Sequence, residues 1–552
     1  MAENLTPAER AKLESVGLRG TLKESLQDEH TGSLRDDDQL LMKFHGMYQQ
    51  DDRDRREERA EKKLERLYSF MIRLRLPGGI ITAQQWEELH HIAGRHSTGV
   101  IKITTRQTVQ LHGILKSRIK PTLKEFYTLG LDSIAACGDV NRNVTCTAYP
   151  EASALHEEVD AFAKEISEKL LPKTRAYYEI WLDGEKLVET TEEDPLYQDR
   201  YLPRKFKIAV AVPPHNDVDV FTNDVGLIAV TDAKGNITGY NIAAGGGLGT
   251  THGNSETYPR LATVLGYAPK DKALDYVYEI ATTQRDFGNR ADRKQARLKY
   301  TMDRMGVDVF KKEVESRVGT PFEAEKPYSF THRSDLYGWH QNHKKTWFYT
   351  VFVENGRVQD EGEIKFKSAF LEIAEKGLAT FRFTCNQNLI LGDISAKNKK
   401  AVDEILHRYG IAEWNKTVSP VRKQAMACVA MNTCPLALAE GQRYLPTLIT
   451  HIESLLETHQ LQDENMTIRM TGCPNGCARP YISEIGFVGT ALGEYNMHLG
   501  ADVTGERLNK LYKESLNEEQ ILAELDALFG QFAAEKESGE AFGNFVVRKQ
   551  LV

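Results

Sequence analysis

IKITTRQTVQLHGI (101–114) aligns without a gap on FRFTCNQNLILGDI (381–394). Thr104 matches Thr384, Gln107 matches Gln387, Leu111 matches Leu391 and Ile114 matches Ile394. In each copy apolar residues alternate as on a half-buried strand, break at a short turn and resume on a second strand. A helix-like stretch precedes each copy, QQWEELHHIAG (84–94) and KSAFLEIAEKG (367–377). A second pair follows the first: DVGLIAV…GYNIAAGGG (224–247) resembles EIGFVGT…EYNMHLGAD (484–502), with Gly226 opposite Gly486 and Asn241 opposite Asn496. The order A–B–A′–B′ points to an internal duplication and a pseudo-twofold architecture, with a cleft between its halves suited to a large ligand.

Outside the repeats the chain reads as a soluble globular protein of 552 residues, 41% hydrophobic and 27% charged. Its formal net charge of −8 argues against bulk nucleic-acid binding, which needs a basic surface. The polar start MAENLTPAERAKLES lacks a secretory pattern, and no apolar run approaches the ~18 residues of a membrane span. These features predict a cytoplasmic protein whose thiols stay reduced. The charged stretch DDRDRREERAEKKLERL (51–67), with Glu58 and Lys62 at i,i+4 spacing, reads as a solvated helix or a docking arm. LNEEQILAELDALFGQF (516–532) predicts an amphipathic helix capped by Asn517 and Gln520.

Four of the seven cysteines fall in B′: Cys428 and Cys434 in ACVAMNTCPLA, Cys473 and Cys477 in TGCPNGCARP. The C-x5-C pair, a gap of 38 residues and the C-x3-C pair suit the corners of an iron–sulfur cluster. A zinc site or unrelated structural cysteines remain open on spacing alone. Pro435 and Pro474 each follow a candidate ligand, and the stretch from Cys434 into PLALAEGQRYLPTLITHIESLLE predicts a helix whose N-terminus would stabilise a thiolate. Cys146 lies about where Cys428 lies in B′; it, Cys137 and Cys385 read as small buried hydrophobes.

Basic clusters recur at turns and strand ends: FMIRLRLPGG (70–79), TTRQT (104–108), VNRNV (140–144), YLPRKFK (201–207) and NRADRKQARLKY (289–300). On a strand Lys205 and Lys207 would share one face, an arrangement that repels unless an anion lies between them. A solvated edge strand explains any single cluster equally well. AAGGGLG (243–249) lacks the full dinucleotide fingerprint and reads as a close backbone approach.

With FHGMYQQDDRD (44–54), RLPGG, TTRQT, NRNV, LPRKFK, GGGL, DRKQARLKY, MACV…TCP and TGCPNGC in hand, the chain resembles the siroheme sulfite and nitrite reductases. The likeness runs over essentially the full length, and the QQDDRD arm and paired lysines point to the NADPH-dependent assimilatory sulfite reductase hemoproteins. It implies an α+β fold of two ferredoxin-like half-domains and two larger mixed α/β repeats around a siroheme/iron–sulfur site. The implied segments are an arm at 1–66, A at 67–145, B at 146–339, A′ at 340–418 and B′ at 419–552. It implies one 4Fe–4S cluster held by Cys428, Cys434, Cys473 and Cys477, with Cys477 also bridging to the iron of one siroheme. Sulfite would lie among Arg73, Arg142, Lys205 and Lys207. Arg106, Gln110, His112 and Arg297 would contact siroheme, Arg297 standing where relatives often carry lysine.

The implied reaction reduces sulfite to sulfide for cysteine biosynthesis, using electrons from an NADPH-dependent flavoprotein carrying FAD and FMN. A related nitrite reductase would commonly carry asparagine at the Lys207 position. If the arm is the flavoprotein dock, deleting residues 1–60 would abolish NADPH-driven turnover and spare turnover with a chemical reductant.

Overall fold

The computed structural model describes residues 5–149, 152–184 and 194–552. Its strands form four five-stranded sheets, in two matching pairs, and one small two-stranded ribbon. In the first pair, hairpin Ile101–Ile103/Val109–Ile114 corresponds to hairpin Thr380–Phe383/Leu389–Ile394. The turns match atom for atom: Thr104 N donates to Thr108 O at 2.8 Å and Thr384 N to Asn388 O at 3.0 Å. Gln107 and Gln387 both take left-handed backbone angles, φ 55° and 67°. Helices Ala83–His96 and Phe366–Glu375 form where the 3.6-residue pattern places them. The two helices pack together, Trp86 meeting Phe370 edge-on with centroids 5.6 Å apart, and Trp86 also stacks on Phe381 of the second hairpin at 4.6 Å.

Each ferredoxin-like sheet borrows an edge strand from the other half. Arg357–Val358 pairs with Ile101–Lys102 in the first sheet, and Ile80–Ile81 pairs with Phe381–Arg382 in the second. The first sheet also recruits Met47–Asp51, in register from Met47↔Ile72 to Asp51↔Tyr68. The stretch expected to be an arm therefore supplies a strand. Beyond it, residues 51–67 hold one short helix, Arg56–Glu61, with the expected Glu58–Lys62 pair at 2.7 Å.

The B and B′ sheets share one topology: three parallel strands followed by two antiparallel ones. Ile228 pairs with Asn241 and Val488 with Asn496, so the glycine and asparagine matches hold in register. The glycines match for a physical reason: a Cβ on Gly226 would lie 2.7 Å from Val220 O, and one on Gly486 2.4 Å from Pro480 O. The same register aligns Cys146 with Ala427 rather than Cys428, since Cys146 pairs with Val210 and Ala427 with Met470. One residue of shift along a strand reverses the face presented. Cys146 accordingly packs against Asp160 and Arg382.

The C-terminal helix, Glu518–Glu535, carries the expected Asn517/Gln520 capping box. No helix among the described residues is long and apolar enough to cross a membrane.

Candidate functional site

The third strand of each B sheet is preceded by a loop that enters from the second strand, and the two loops are counterparts. In the first half it is VPPHNDVD (212–219), in the second GCPNGCAR (472–479). Pro214 and Pro474 coincide, as do Asp219 and Arg479, whose backbones are left-handed at φ 48° and 58°. Cys473 and Cys477 fall opposite Pro213 and Asp217, so the first half has no second pair of thiols. The counterparts Asp219 and Arg479 form an ion pair, Nε to Oδ2 at 3.1 Å. Arg469 and Arg333 close on the same carboxylate at 2.8 and 3.3 Å. Asp219 is fully buried; burial alone would raise its pKa, but Arg469, Arg479 and Arg333 hold it down to about 2. This buried charge cluster fixes the end of the cysteine loop, and Arg479 also donates to Cys385 O at 2.6 Å.

The four B′ cysteines are all free thiols. Burial raises the Cys428 pKa strongly, and Cys477, Cys434 and Cys473 raise it further. Cys434 is pushed up to about 12 by burial and then by Cys477 and Cys473. Burial and the neighbouring thiols thus disfavour the thiolate at Cys428, Cys434 and Cys473, as expected of ligands whose compensating positive charge is a metal centre. Backbone and amide donors already point at them: Gly472 N at 3.4 Å from Cys428 Sγ and Asn475 Nδ2 at 3.5 Å from Cys473 Sγ. Among the described residues no three His, Cys, Asp or Glu side chains converge tightly enough for one ion. Separated but mutually sensed thiols suit the corners of a cluster better than a single zinc.

The expected helix after Cys434 does not form. Residues 434–444 are turns, and the helix starts at Leu445 with Pro446 in its first turn. Leu438 N and Ala439 N both donate to Gly472 O, at 2.7 and 3.0 Å, wrapping this loop onto the other cysteine loop instead of coiling it. Cys434 is thus served by the Leu436 and Ala437 amides of a turn rather than by a helix dipole.

Against this loop the first half brings its basic clusters. Thr105 Oγ1 donates to Cys477 O at 3.0 Å, so TTRQT lies on the cysteine loop. The glycine-rich loop crosses as well: Thr250 N donates to Pro474 O at 2.9 Å, and a Cβ on Gly249 would sit 3.1 Å from Asn475 O.

Lys205 and Lys207 are half-buried in the extended run before strand Ile208–Ala211, with Phe206 buried between them. Burial first, then Arg204 and Arg297, lower Lys205 to about 7, and Cys477 pulls it back up. Lys207 falls well below its ordinary value through burial, Lys205, Arg106 and Arg297. Arg73 and Arg142 meet around one loop, donating to Ala136 O at 3.3 Å each, Arg73 also to Cys137 Sγ at 3.1 Å and Arg142 to Gly138 O at 2.7 Å. Cys137 is therefore a polar contact of Arg73, whereas Cys385 is packed among apolar side chains.

The expected siroheme contacts divide. Arg106 donates to Asn223 Oδ1 at 2.6 Å and Ile208 O at 3.0 Å, while its buried Nε has no partner. Arg297 is occupied by Asp224, at 2.8 and 3.2 Å, and a Cβ on Gly247 would lie 3.0 Å from its guanidinium. Gln110 stands across from Arg73, and with its amide oxygen facing that arginine accepts from Nε at 2.8 Å. His112 contacts Gln50 and is lowered to about 3 by burial, Lys102 and Arg73, so its ring is neutral at working pH.

Several residues not singled out as site residues, Asn143, Arg290 and Arg293 within the quoted basic clusters and Lys12 outside them, hold the site together. Asn143 joins three basic clusters, exchanging hydrogen bonds with Leu76 at 2.7 and 2.8 Å and donating to Arg106 O at 2.9 Å. Lys12, 2% exposed on helix Pro7–Glu14, donates to Leu202 O at 2.9 Å and lies 3.6 Å from Asp139. Arg293 clamps Asp139 at 2.8 and 3.0 Å, and Arg290 reaches Glu9 at 2.6 Å and Tyr201 O at 2.8 Å. The N-terminal helix is thus built into the base of the loops carrying Arg142 and Lys205.

Buried cations with lowered pKa values are costly unless anions neutralise them. A carboxylate-rich macrocycle and a substrate oxyanion are the charges that this pocket needs, so the residues present fit siroheme beside a cysteine-held cluster. A duplicated α+β scaffold with this donor set defines an iron–sulfur oxidoreductase acting on a small anion. The ferredoxin-like half domain of nitrite/sulfite reductases matches residues 63–128 and 340–409, and the nitrite and sulphite reductase 4Fe-4S domain matches residues 162–322. That last match falls on B, the copy without the four cysteines.

Proteins named "Sulfite reductase [NADPH] hemoprotein beta-component" are similar throughout. That of Leptospira biflexa is 64% identical over 544 residues, 98% of each chain; that of Bacillus subtilis is 48% identical over 546 residues, 99% of this chain and 95% of its own. The solved structure of the Mycobacterium tuberculosis NirA protein shares the fold, with a TM-score of 0.79, 23% identity and coverage of 99% and 97%. The chain belongs to the nitrite and sulphite reductase family.

Proposed function

We propose that the protein is the hemoprotein component of an assimilatory sulfite reductase, reducing hydrogen sulfite with six electrons and six protons to HS⁻ and three waters. The observation that carries this reading is the meeting of Lys205, Lys207 and Arg106 from the first half with the Cys477 loop from the second. Cys428, Cys434, Cys473 and Cys477 would hold the 4Fe–4S cluster, with Cys477 shared with siroheme, whose surroundings would include the cations Arg106 and Arg297 and the neutral Gln110 and His112. The cluster and macrocycle supply electron storage that no side chain can provide.

The chain's own residues do the rest. Arg73 and Arg142, which stay charged, hold the oxyanion. Lys205, poised near 7, and Lys207, held well below its ordinary value by burial and neighbouring cations, suit proton delivery, because an ammonium with a depressed pKa gives up its proton readily. Lys12, Arg290 and Arg293 hold the carbonyl groups and Asp139 behind these loops, keeping the basic groups in place.

In this reading the electrons come from an NADPH-dependent flavoprotein carrying FAD and FMN, and the reaction is cytoplasmic, where thiols stay reduced. The test is anaerobic expression with iron, acid-labile sulfide and visible spectroscopy, followed by assay of sulfite and nitrite. Four irons, four sulfides, a siroheme spectrum and sulfide production are expected; a colourless zinc protein would refute the reading.

A further inference from the structure

The loop carrying Cys434 has no helix or strand of its own, and residues 52–54 tie it down from outside. Arg53 is the centre of this contact. Its guanidinium donates to Cys434 O at 3.1 Å and Ala437 O at 2.6 Å, and its backbone N donates to Asn432 O at 3.2 Å. On one side Asn432 Nδ2 donates to Asp52 Oδ1 at 2.7 Å; on the other Arg443 pairs with Asp54 at 2.6 Å. The segment directly follows strand Met47–Asp51, so a rigid sheet edge delivers it. Within the loop itself, Cys434 N bonds Ala430 O at 3.0 Å and Ala437 N bonds Cys434 O at 3.3 Å. Those bonds shape a turn without fixing where the turn sits.

We propose that Arg53 is a positioning residue for Cys434: its Nη1 donates to two carbonyls of the turn, sets the position of this thiol relative to Cys428, Cys473 and Cys477, and places one fixed positive charge beside the cluster. The proposal rests on the four-cysteine cluster reading. The group matters because the two N–H bonds of this one Nη1 lie in the rigid guanidinium plane and so fix the directions of both contacts, whereas an ammonium rotates freely on its stem. The charge matters because a cation near the cluster favours its reduced form.

The test compares Arg53→Met, Arg53→Lys and Asp54→Asn in the full chain, reading iron and sulfide content, iron loss to a chelator, the cluster's EPR spectrum and its midpoint potential. Arg53→Met is expected to lose iron at least tenfold faster. Its reduced-to-oxidised ratio at a fixed potential should fall severalfold; a tenfold fall is about 59 mV for a one-electron couple. Arg53→Lys should retain the potential but lose iron faster than wild type. Asp54→Asn, which loosens the segment without touching the Cys434 turn, should match wild type.

Wild-type iron retention, EPR and potential in Arg53→Met would overturn the proposal, as would equal damage from Asp54→Asn. If Arg53→Met does not fold, Arg53→Lys decides: wild-type iron retention in that variant overturns the positioning role. A wild-type protein without cluster iron and sulfide would refute the cluster reading itself, a result distinct from any of these.

Discussion

Replacing Asp219 with asparagine keeps the side chain's size and removes the carboxylate that Arg333, Arg469 and Arg479 share. All four residues are buried, so water cannot take over the neutralisation. Removing one partner from a buried ion pair costs about 3–5 kcal/mol, because the remaining charge stays desolvated. With an unfolding entropy of about 2.1 cal/mol/K per residue, a chain this long turns that loss into a fall of about 3–4 °C in Tm.

The pH profile adds a second signature. The folded pKa of about 2 lies below the ordinary 3.8, so the contribution is fully present above pH 4 and lost as pH falls toward 2. A depression of this size corresponds to a contribution on the order of 2–3 kcal/mol. The Tm gap between wild type and Asp219→Asn should therefore be constant from pH 7 to about 5 and begin to close below about 4. Differential scanning calorimetry of cofactor-loaded protein, with the exposed Asp199→Asn as control, measures both. A loaded Asp219→Asn protein melting within about 1 °C of wild type at pH 7 would refute the charge-cluster argument.

Lys207→Met should lower turnover by about 100-fold, the scale of one lost general acid, while weakening sulfite binding far less; equal effects in kinetics and spectral titration would remove its proton-delivery role. Because Lys205 sits near 7, its charge is present below that pH and lost above it, so inhibition by sulfate, which does not titrate, should weaken by up to about tenfold per pH unit above 7. Lys205→Arg should flatten that dependence, as followed by sulfate inhibition constants across pH. Deleting residues 1–60 should impair turnover with a chemical reductant as well as NADPH-driven turnover, because it removes Lys12, strand Met47–Asp51 and Arg53; unchanged activity with methyl viologen would restore the view of this segment as a detachable dock.

The duplication was legible because its turns need particular residues. Thr104 and Thr384 start the same hydrogen-bonded turn, and Gln107 and Gln387 reach the following strand alike, donating to Cys146 O at 2.9 Å and Ala427 O at 3.1 Å. The four B′ cysteines stood out by their clustering, while their spacing alone left a cluster, a zinc site and structural thiols all open. The path of the chain after Cys434 was not legible, since Leu, Ala and Pro suit a helix locally while Gly472 captures the amides through a contact distant in sequence. Arg53 escaped notice for a related reason: its partners are carbonyl groups, which leave no pattern. Lys12 lies in a polar stretch that carries no sign of burial, and only the fold reveals Leu202 O and Asp139 around it. Strands Ile80–Ile81 and Arg357–Val358 have two residues each, too few for alternation to show.

Those two short strands bear on how such a molecule could arise. A single-copy ancestor folded this way would have left each ferredoxin-like sheet one strand short until a second copy supplied it. Reciprocal exchange of this kind makes assembly the precondition for a finished sheet, so a two-chain ancestor would have had its cleft before fusion joined the copies. Once they were joined, one copy could keep its cysteines while its counterpart, holding Pro213 and Asp217 at the matching places, specialised in holding the anion.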